Sequence, residues 1–155
     1  LTVKRCEQYD CDLVEVTAHA GSRPEHADWQ GKVYSLTGKT KGYRRLEEAT
    51  GYGTVEGLAG ANCSHSFGPY FPGMSKQNDN SDIPKGAENE EIYANMQKQR
   101  YLERQIRSAK RTEAALGAAG YDTQDAHNKV LAYQSKMRYH IEETNLRRRY
   151  NRETI

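Results

Sequence analysis

Among the 155 residues, the side chains best suited to chemistry gather in two short stretches. His19 and His26 flank Gly21-Ser22-Arg23-Pro24, while Cys63 and His65 stand two apart after a glycine-rich excursion. Imidazole nitrogen and thiolate sulfur are donors that tetrahedral Zn2+ prefers, so His19, His26, Cys63 and His65 form a candidate ligand set for a structural Zn2+. A metal there would close a long loop with little core of its own, and its binding energy would become folding energy. The spacings match no common zinc finger or ribbon, and Cys63-x-His65 is shorter than the usual paired-ligand knuckle. That favours a simpler alternative, in which these side chains satisfy buried backbone groups by hydrogen bonding. Cys6 and Cys11 offer alternative ligands or a reversible disulfide, although ordinary semi-buried thiols are the plainer reading. A nucleophilic reading would pair Cys63 with one of the histidines and with Asp28 or Glu56. No local signature of a cysteine hydrolase accompanies it.

Two segments of different grammar must position these residues. In 1–74, Leu13-Val14-Glu15-Val16-Thr17 alternates as a strand does, and Lys32-Val33-Tyr34-Ser35-Leu36 reads as a second strand. Pro24 at a first helical position suits a short helix over Glu25–Trp29. Glycines then recur at 38, 42, 51, 53, 57, 60, 68 and 73, which predicts irregular backbone that something must pin. Residues 75–87 contain almost nothing to bury and read as a mobile linker. From residue 88 a helical period takes over: Ile92, Met96, Leu102, Ile106, Ala109 and Leu116 share one stripe, with Gln99 and Glu113 filling it. Gly117 and Gly120 end that helix, and Asp122 or Thr123 caps another carrying Ala126, Val130, Tyr133, Met137 and Ile141. The short turn makes the pair antiparallel. The expected fold is therefore α+β: a small loop-rich, strand-containing module over 1–74, a linker over 75–87, and a long antiparallel helical hairpin over 88–155.

Composition limits what such a chain can do. Mean hydropathy is -1.00, and 35% of residues are hydrophobic, below the roughly 45–50% apolar share of ordinary domains. A large core is excluded, and the narrow hairpin seam is expected to lean on a neighbour, including self-association through its helices. No apolar run approaches the ~18–20 residues of a membrane span, so no membrane partner is expected. The chain opens on Leu1 rather than Met, which reads as a piece of a longer protein. Charge is nearly balanced in 1–85, with 10 Lys/Arg against 11 Asp/Glu, and basic in 86–155, with 13 against 10. Arg104, Arg107, Lys110 and Arg111, with Arg147, Arg148 and Arg149 near the end, are candidates for non-specific contact with DNA or an acidic protein rim. A solvated helix face explains them equally well. Arg23, Trp29 and Lys32 form a second candidate partner surface, with Trp29 as anchor. As the sole Trp of an apolar-poor region, Trp29 is more readily placed in the core.

The ordered series from Cys11 to Pro72 carries a resemblance. It includes Ala18-His19-Ala20-Gly21-Ser22-Arg23-Pro24-Glu25-His26, then Trp29-Gln30-Gly31-Lys32, then Gly51-Tyr52-Gly53, and closes on Asn62-Cys63-Ser64-His65-Ser66-Phe67 before Pro69-Tyr70-Phe71-Pro72. This is similar to the phage minor capsid protein 2 family, related to the Mu-F-like head morphogenesis proteins. Gln99 through Arg107 and Leu146-Arg147-Arg148-Arg149-Tyr150 extend the resemblance. Ala59-Gly60-Ala61 departs from it where a bulkier residue often precedes the Asn. The resemblance implies a non-enzymatic, low-copy component of the virion. It would sit at the head interior or portal region, pass through the host cytoplasm during assembly, and contact the portal or major capsid protein. It also implies an N-terminal, largely helical region before this module. The competing function is a phage-encoded toxin or hydrolase using the Cys/His or a metal site.

Overall fold

A computed structural model describes residues 2–155, and the chain divides into two compact units, Leu1–Glu91 and Ile92–Ile155. In the first unit, β1 (Leu13–Val16) is the middle strand of a three-stranded antiparallel sheet. On one side it pairs with β2 (Val33–Ser35) in the register Val14↔Tyr34; on the other it pairs with β3 (Phe67–Pro69) in the register Val16↔Phe67. Leu13, Val14 and Val16 are all buried. A central strand covered on both faces needs apolar residues on each, which is why its alternation is imperfect. Pro69 sits at the end of an edge strand, where its missing N–H removes no ladder bond.

Four α-helices frame the sheet and loops or leave them. They are α1 (Thr2–Gln8), α2 (Pro24–Ala27, Pro24 leading), α3 (Leu46–Thr50) and the start of α4 (Gly86–Ala118). Cys6, Cys11, Val14, Val16, Trp29, Tyr34, Leu46 and Leu58 make the core. The glycine-rich loop after α3 folds tightly on itself: a Cβ on Gly57 would stand 2.0 Å from the Gly51 carbonyl oxygen. Only glycine permits that approach.

Residues 75–85 have no regular structure, yet they are tied to the first unit. The Gln77 amide donates to the Gly31 carbonyl (2.9 Å), and the Asn78 N–H donates to the Glu15 carboxylate (2.8 Å). Asn89, one turn into α4, is 1% exposed. It accepts from the Gly21 N–H (2.8 Å) and donates to the Ser22 carbonyl (2.9 Å), so it holds the loop between His19 and His26.

A second anchor is Asp12. Its carboxylate accepts from the Ser35, Thr37 and Thr40 hydroxyls and the Thr37 N–H, at 2.5 to 2.9 Å. Desolvation pushes its pKa up, but those donors together outweigh it and hold the carboxyl well below the ordinary carboxylate range. A depressed acid stabilises the fold above its unfolded pKa of ~3.9, and the contribution drains as pH falls toward the lower folded value. Asp12→Asn is therefore expected to lose about 2 kcal/mol at pH 7. In acid-titrated thermal melts, its gap from the parent should narrow steadily below about pH 4; a gap constant to pH 2 would refute the assignment.

In the second unit, the body of α4 and α5 (Gln124–Thr144) form the antiparallel hairpin, so the α+β architecture is present. Leu102, Ile106 and Met137 pack with Tyr133 and Ile141. Polar contacts fix the register: His140 Nε2 donates to the Asn95 carbonyl at 2.9 Å, and His127 pairs with Glu113 at 2.8 Å. The Asp122 carboxylate takes the Gln124 N–H at the start of α5 (2.9 Å). Asn145, in the left-handed region at φ 53°, ends α5. Residues 146–155 then return along α4 as a strap, including a short 3-10 turn (Tyr150–Arg152). Gln99 donates to the Arg147 carbonyl at 3.0 Å, Arg107 to the Arg152 carbonyl, and Lys110 to the Glu153 carbonyl at 2.9 Å. Glu153 is 2% exposed and makes a bidentate pair with Arg148, both bonds 2.7 Å. No helix of the described residues is long and apolar enough to cross a membrane.

Candidate functional site

The four candidate ligands come from three backbone segments that the sheet draws together. Thr17 and Ser66 clamp the ends of β1 and β3: the Thr17 N–H donates to the Ser66 carbonyl and the Ser66 N–H to the Thr17 hydroxyl, both at 2.9 Å. That clamp sets His19, two residues past Thr17, beside His65, one residue before Ser66. Their rings stack with centroids 4.2 Å apart. His26 is carried by α2, whose loop is latched to the glycine-rich segment by Arg23, donating to the Ala61 carbonyl at 2.7 Å. Trp29 supplies a wall, its ring 4.5 Å from that of His26 and 4.8 Å from that of His65.

His26, Cys63 and His65 each bring one donor atom to within 4.8 Å of the other two. The Cys63 sulfur lies 3.5 Å from His65 Nδ1 and 3.9 Å from His26 Nδ1. Metal bonds of ~2.0 Å to nitrogen and ~2.3 Å to sulfur at a tetrahedral angle separate the two donors by about 3.5 Å, so this spacing suits Zn2+. His19 stands beside that trio rather than within it, yet its Nε2 is buried and has no hydrogen-bond partner among the described residues.

The outer nitrogen of every imidazole meets an oxygen. His26 Nε2 donates to the Glu56 carbonyl (2.8 Å), His65 Nε2 to the Gln30 side-chain oxygen (2.9 Å), and His19 Nδ1 to the Ala20 carbonyl (3.0 Å). In a neutral imidazole with one nitrogen protonated, the other carries a bare lone pair. The Nδ1 atoms of His26 and His65 thus both face the Cys63 thiol, which has a single proton to give. Burial, helped by the nearby His19 and His26, pulls the His65 pKa down to about 4, so it stays neutral at pH 7. A buried group of lone pairs without donors is costly, and a divalent cation would satisfy it. The donor set, spacing and outer hydrogen bonds all fit Zn2+.

Other sequence candidates have different fates. Trp29 is buried in the core rather than displayed, which removes the anchor from the expected Arg23–Trp29–Lys32 surface. Lys32 reaches back to the Asp28 carbonyl. Glu56 meets His26 through its main chain, not its carboxylate, and Asp28 is exposed, so neither completes a triad with Cys63. Cys6 and Cys11 are core thiols: burial, with Cys11 adding to it, pushes the Cys6 pKa up, and Cys11 lies 3.2 Å from the Leu13 carbonyl. In the basic cluster, Arg107, Lys110 and Arg148 turn inward to hold the strap, while Arg104, Arg111, Arg147 and Arg149 remain exposed. Gln30 and Asn89 carried no assigned role in the sequence. An amide's use depends on partners distant along the chain, and nothing local signals it.

Comparison with known proteins supplies the remaining context. A structural protein of Lactococcus phage LL-H is 31% identical over 156 residues, covering 96% of this chain and 41% of that protein. A structural protein of Lactococcus phage mv4 is 37% identical over 109 residues, covering 68% of this chain and 86% of that one. The chain thus spans about two fifths of the longer relative. No solved structure matches it. The family model for phage minor capsid protein 2 matches residues 1–142, and the chain belongs to that family.

Proposed function

We propose that this chain is a non-catalytic building element of a tailed-phage head, acting in head morphogenesis near the portal. The family match over residues 1–142 carries this reading. Its contacts are with the portal or major capsid protein, and packaged DNA is a secondary, non-specific partner for the exposed Arg104, Arg111, Arg147 and Arg149. The test is cross-linking mass spectrometry on assembled heads. Lysine links from this chain to portal subunits are expected, and links confined to tail proteins would refute the placement.

Within that role the first unit is a zinc-stapled module. His26, Cys63 and His65 hold the ion, and the adjacent His19, whose buried Nε2 has no hydrogen-bond partner among the described residues, becomes the fourth donor by closing on the metal. Bound zinc supplies cross-linking of three segments that share only a small core. A hydrolase would instead leave one coordination position open to water and substrate. Surface grooves of about 580, 430 and 400 Å3 lie on the first unit, and none of the three is lined by His19, His26, Cys63 or His65. Elemental analysis of the purified protein should find one zinc per chain, lost with Cys63→Ser.

A further inference from the structure

The Gln30 side-chain oxygen accepts two hydrogen bonds at once. One comes from the His19 backbone N–H at 3.1 Å, the other from His65 Nε2 at 2.9 Å. The first fixes the identity of the atom: a backbone N–H can only donate, so the group facing it must be the amide oxygen, not the NH2. The second then fixes His65. Facing an obligate acceptor, its Nε2 must carry a proton, which leaves Nδ1, 3.5 Å from the Cys63 sulfur, as the nitrogen that can bind a metal.

The same oxygen sets the approach of His19. Residue 19 lies beyond the Thr17–Ser66 clamp, in a loop with no ladder bonds of its own. Its amide is tied to Gln30 and the neighbouring Gly21 amide to Asn89. Gln30 is half-buried directly after Trp29, a core residue, and its backbone N–H donates to the His26 carbonyl at 3.1 Å, so its backbone is held without help from its own side chain. One amide oxygen on a fixed support therefore orients two of the four candidate ligands.

We infer that Gln30 is the positioning residue of the zinc site, locking the His65 ring with Nδ1 toward the metal and setting the His19 loop through a shared hydrogen-bond acceptor. This rests on the zinc reading above. Loss of an outer-sphere partner of this kind weakens metal binding by about 10–100-fold. An anionic acceptor in the same place should preserve both hydrogen bonds and make the imidazole a stronger donor.

The experiment is Co2+ and Zn2+ titration of the full chain and of Gln30→Leu and Gln30→Glu, with affinities from chelator competition. The visible d–d and sulfur-to-cobalt bands report geometry, and amide exchange without metal reports the fold. Gln30→Leu should lose about 10–100-fold in affinity with altered cobalt bands, while Gln30→Glu stays within a few-fold of the parent or binds more tightly. A merely structural glutamine would not be rescued by glutamate with parental cobalt bands. If the parent binds metal and Gln30→Leu binds it equally well, or if both variants are weakened alike, the inference is overturned and the zinc site stands. If the parent takes up neither ion, the zinc reading itself falls, and the positioning role with it.

Discussion

With the proposed zinc staple in place, a strong chelator at neutral pH is expected to lower the melting temperature of the first unit by about 20 °C. Free ligand at ~1,000 times its Kd stabilises a fold by about 4 kcal/mol, and each kcal/mol moves the Tm of a domain this size by about 4–8 °C. The expected loss is local in origin. Without the ion, Cys63 can satisfy only one of His26 Nδ1 and His65 Nδ1, and His19 Nε2 has nothing. Hydrogen exchange should therefore accelerate first in 17–30 and 56–66. The helices of the second unit, which hold no candidate ligand, should keep their protection. Cys63→Ser ought to reproduce the chelated state and become insensitive to added zinc. Identical melting curves with and without chelator would dispose of the staple.

Arg148→Ala should be the most damaging single change in the second unit, costing about 3 kcal/mol. Its guanidinium grips both oxygens of the Glu153 carboxylate, and the two side chains are only 11% and 3% exposed. Removing one partner of a buried pair strands the other charge in a poor dielectric, typically at 3–5 kcal/mol. Here the strap can escape part of that penalty by detaching, which sets the lower end. The paired replacement Arg148→Met with Glu153→Leu should recover most of the loss, because no charge is then left buried. Urea melts of the parent and the two variants, with exchange measured over 146–155, decide the matter. A single substitution within 0.5 kcal/mol of the parent would mean the strap is not held by this pair.

Local patterns were legible where a period or a turn residue announced them. Ala126, Val130, Tyr133, Met137 and Ile141 repeat at helical spacing, and α5 runs through all five. Leu13 to Val16 and Val33 to Ser35 alternate well enough to mark two strands. Phe67-Gly68-Pro69 does not alternate, and its residues favour turns; it becomes a strand because β1 offers it a free edge. The Arg147–Arg149 run shows what a local reading leaves out. Read locally it is a cationic patch, but Arg148 answers to Glu153, and Arg107 and Lys110 answer to strap carbonyls more than forty residues away. The four candidate histidine and cysteine ligands stand out by the chemistry of their donor atoms alone, and three of them converge. Their convergence depends on a sheet pairing residues about fifty positions apart, which no spacing rule encodes.

That pairing bears on the order in which the molecule assembles. Val16 can meet Phe67 only after the intervening chain has closed on itself, and the entropic toll of closure rises with the logarithm of the length enclosed. Helices joined by a tight turn have no such wait, because their contacts spread outward from residues 117–124. Refolding should thus be biphasic, the hairpin collapsing quickly and the sheet lagging behind. During that lag the segment ending at Phe67 is still searching for its strand, and its apolar side chains are open to whatever else the infected cell is assembling.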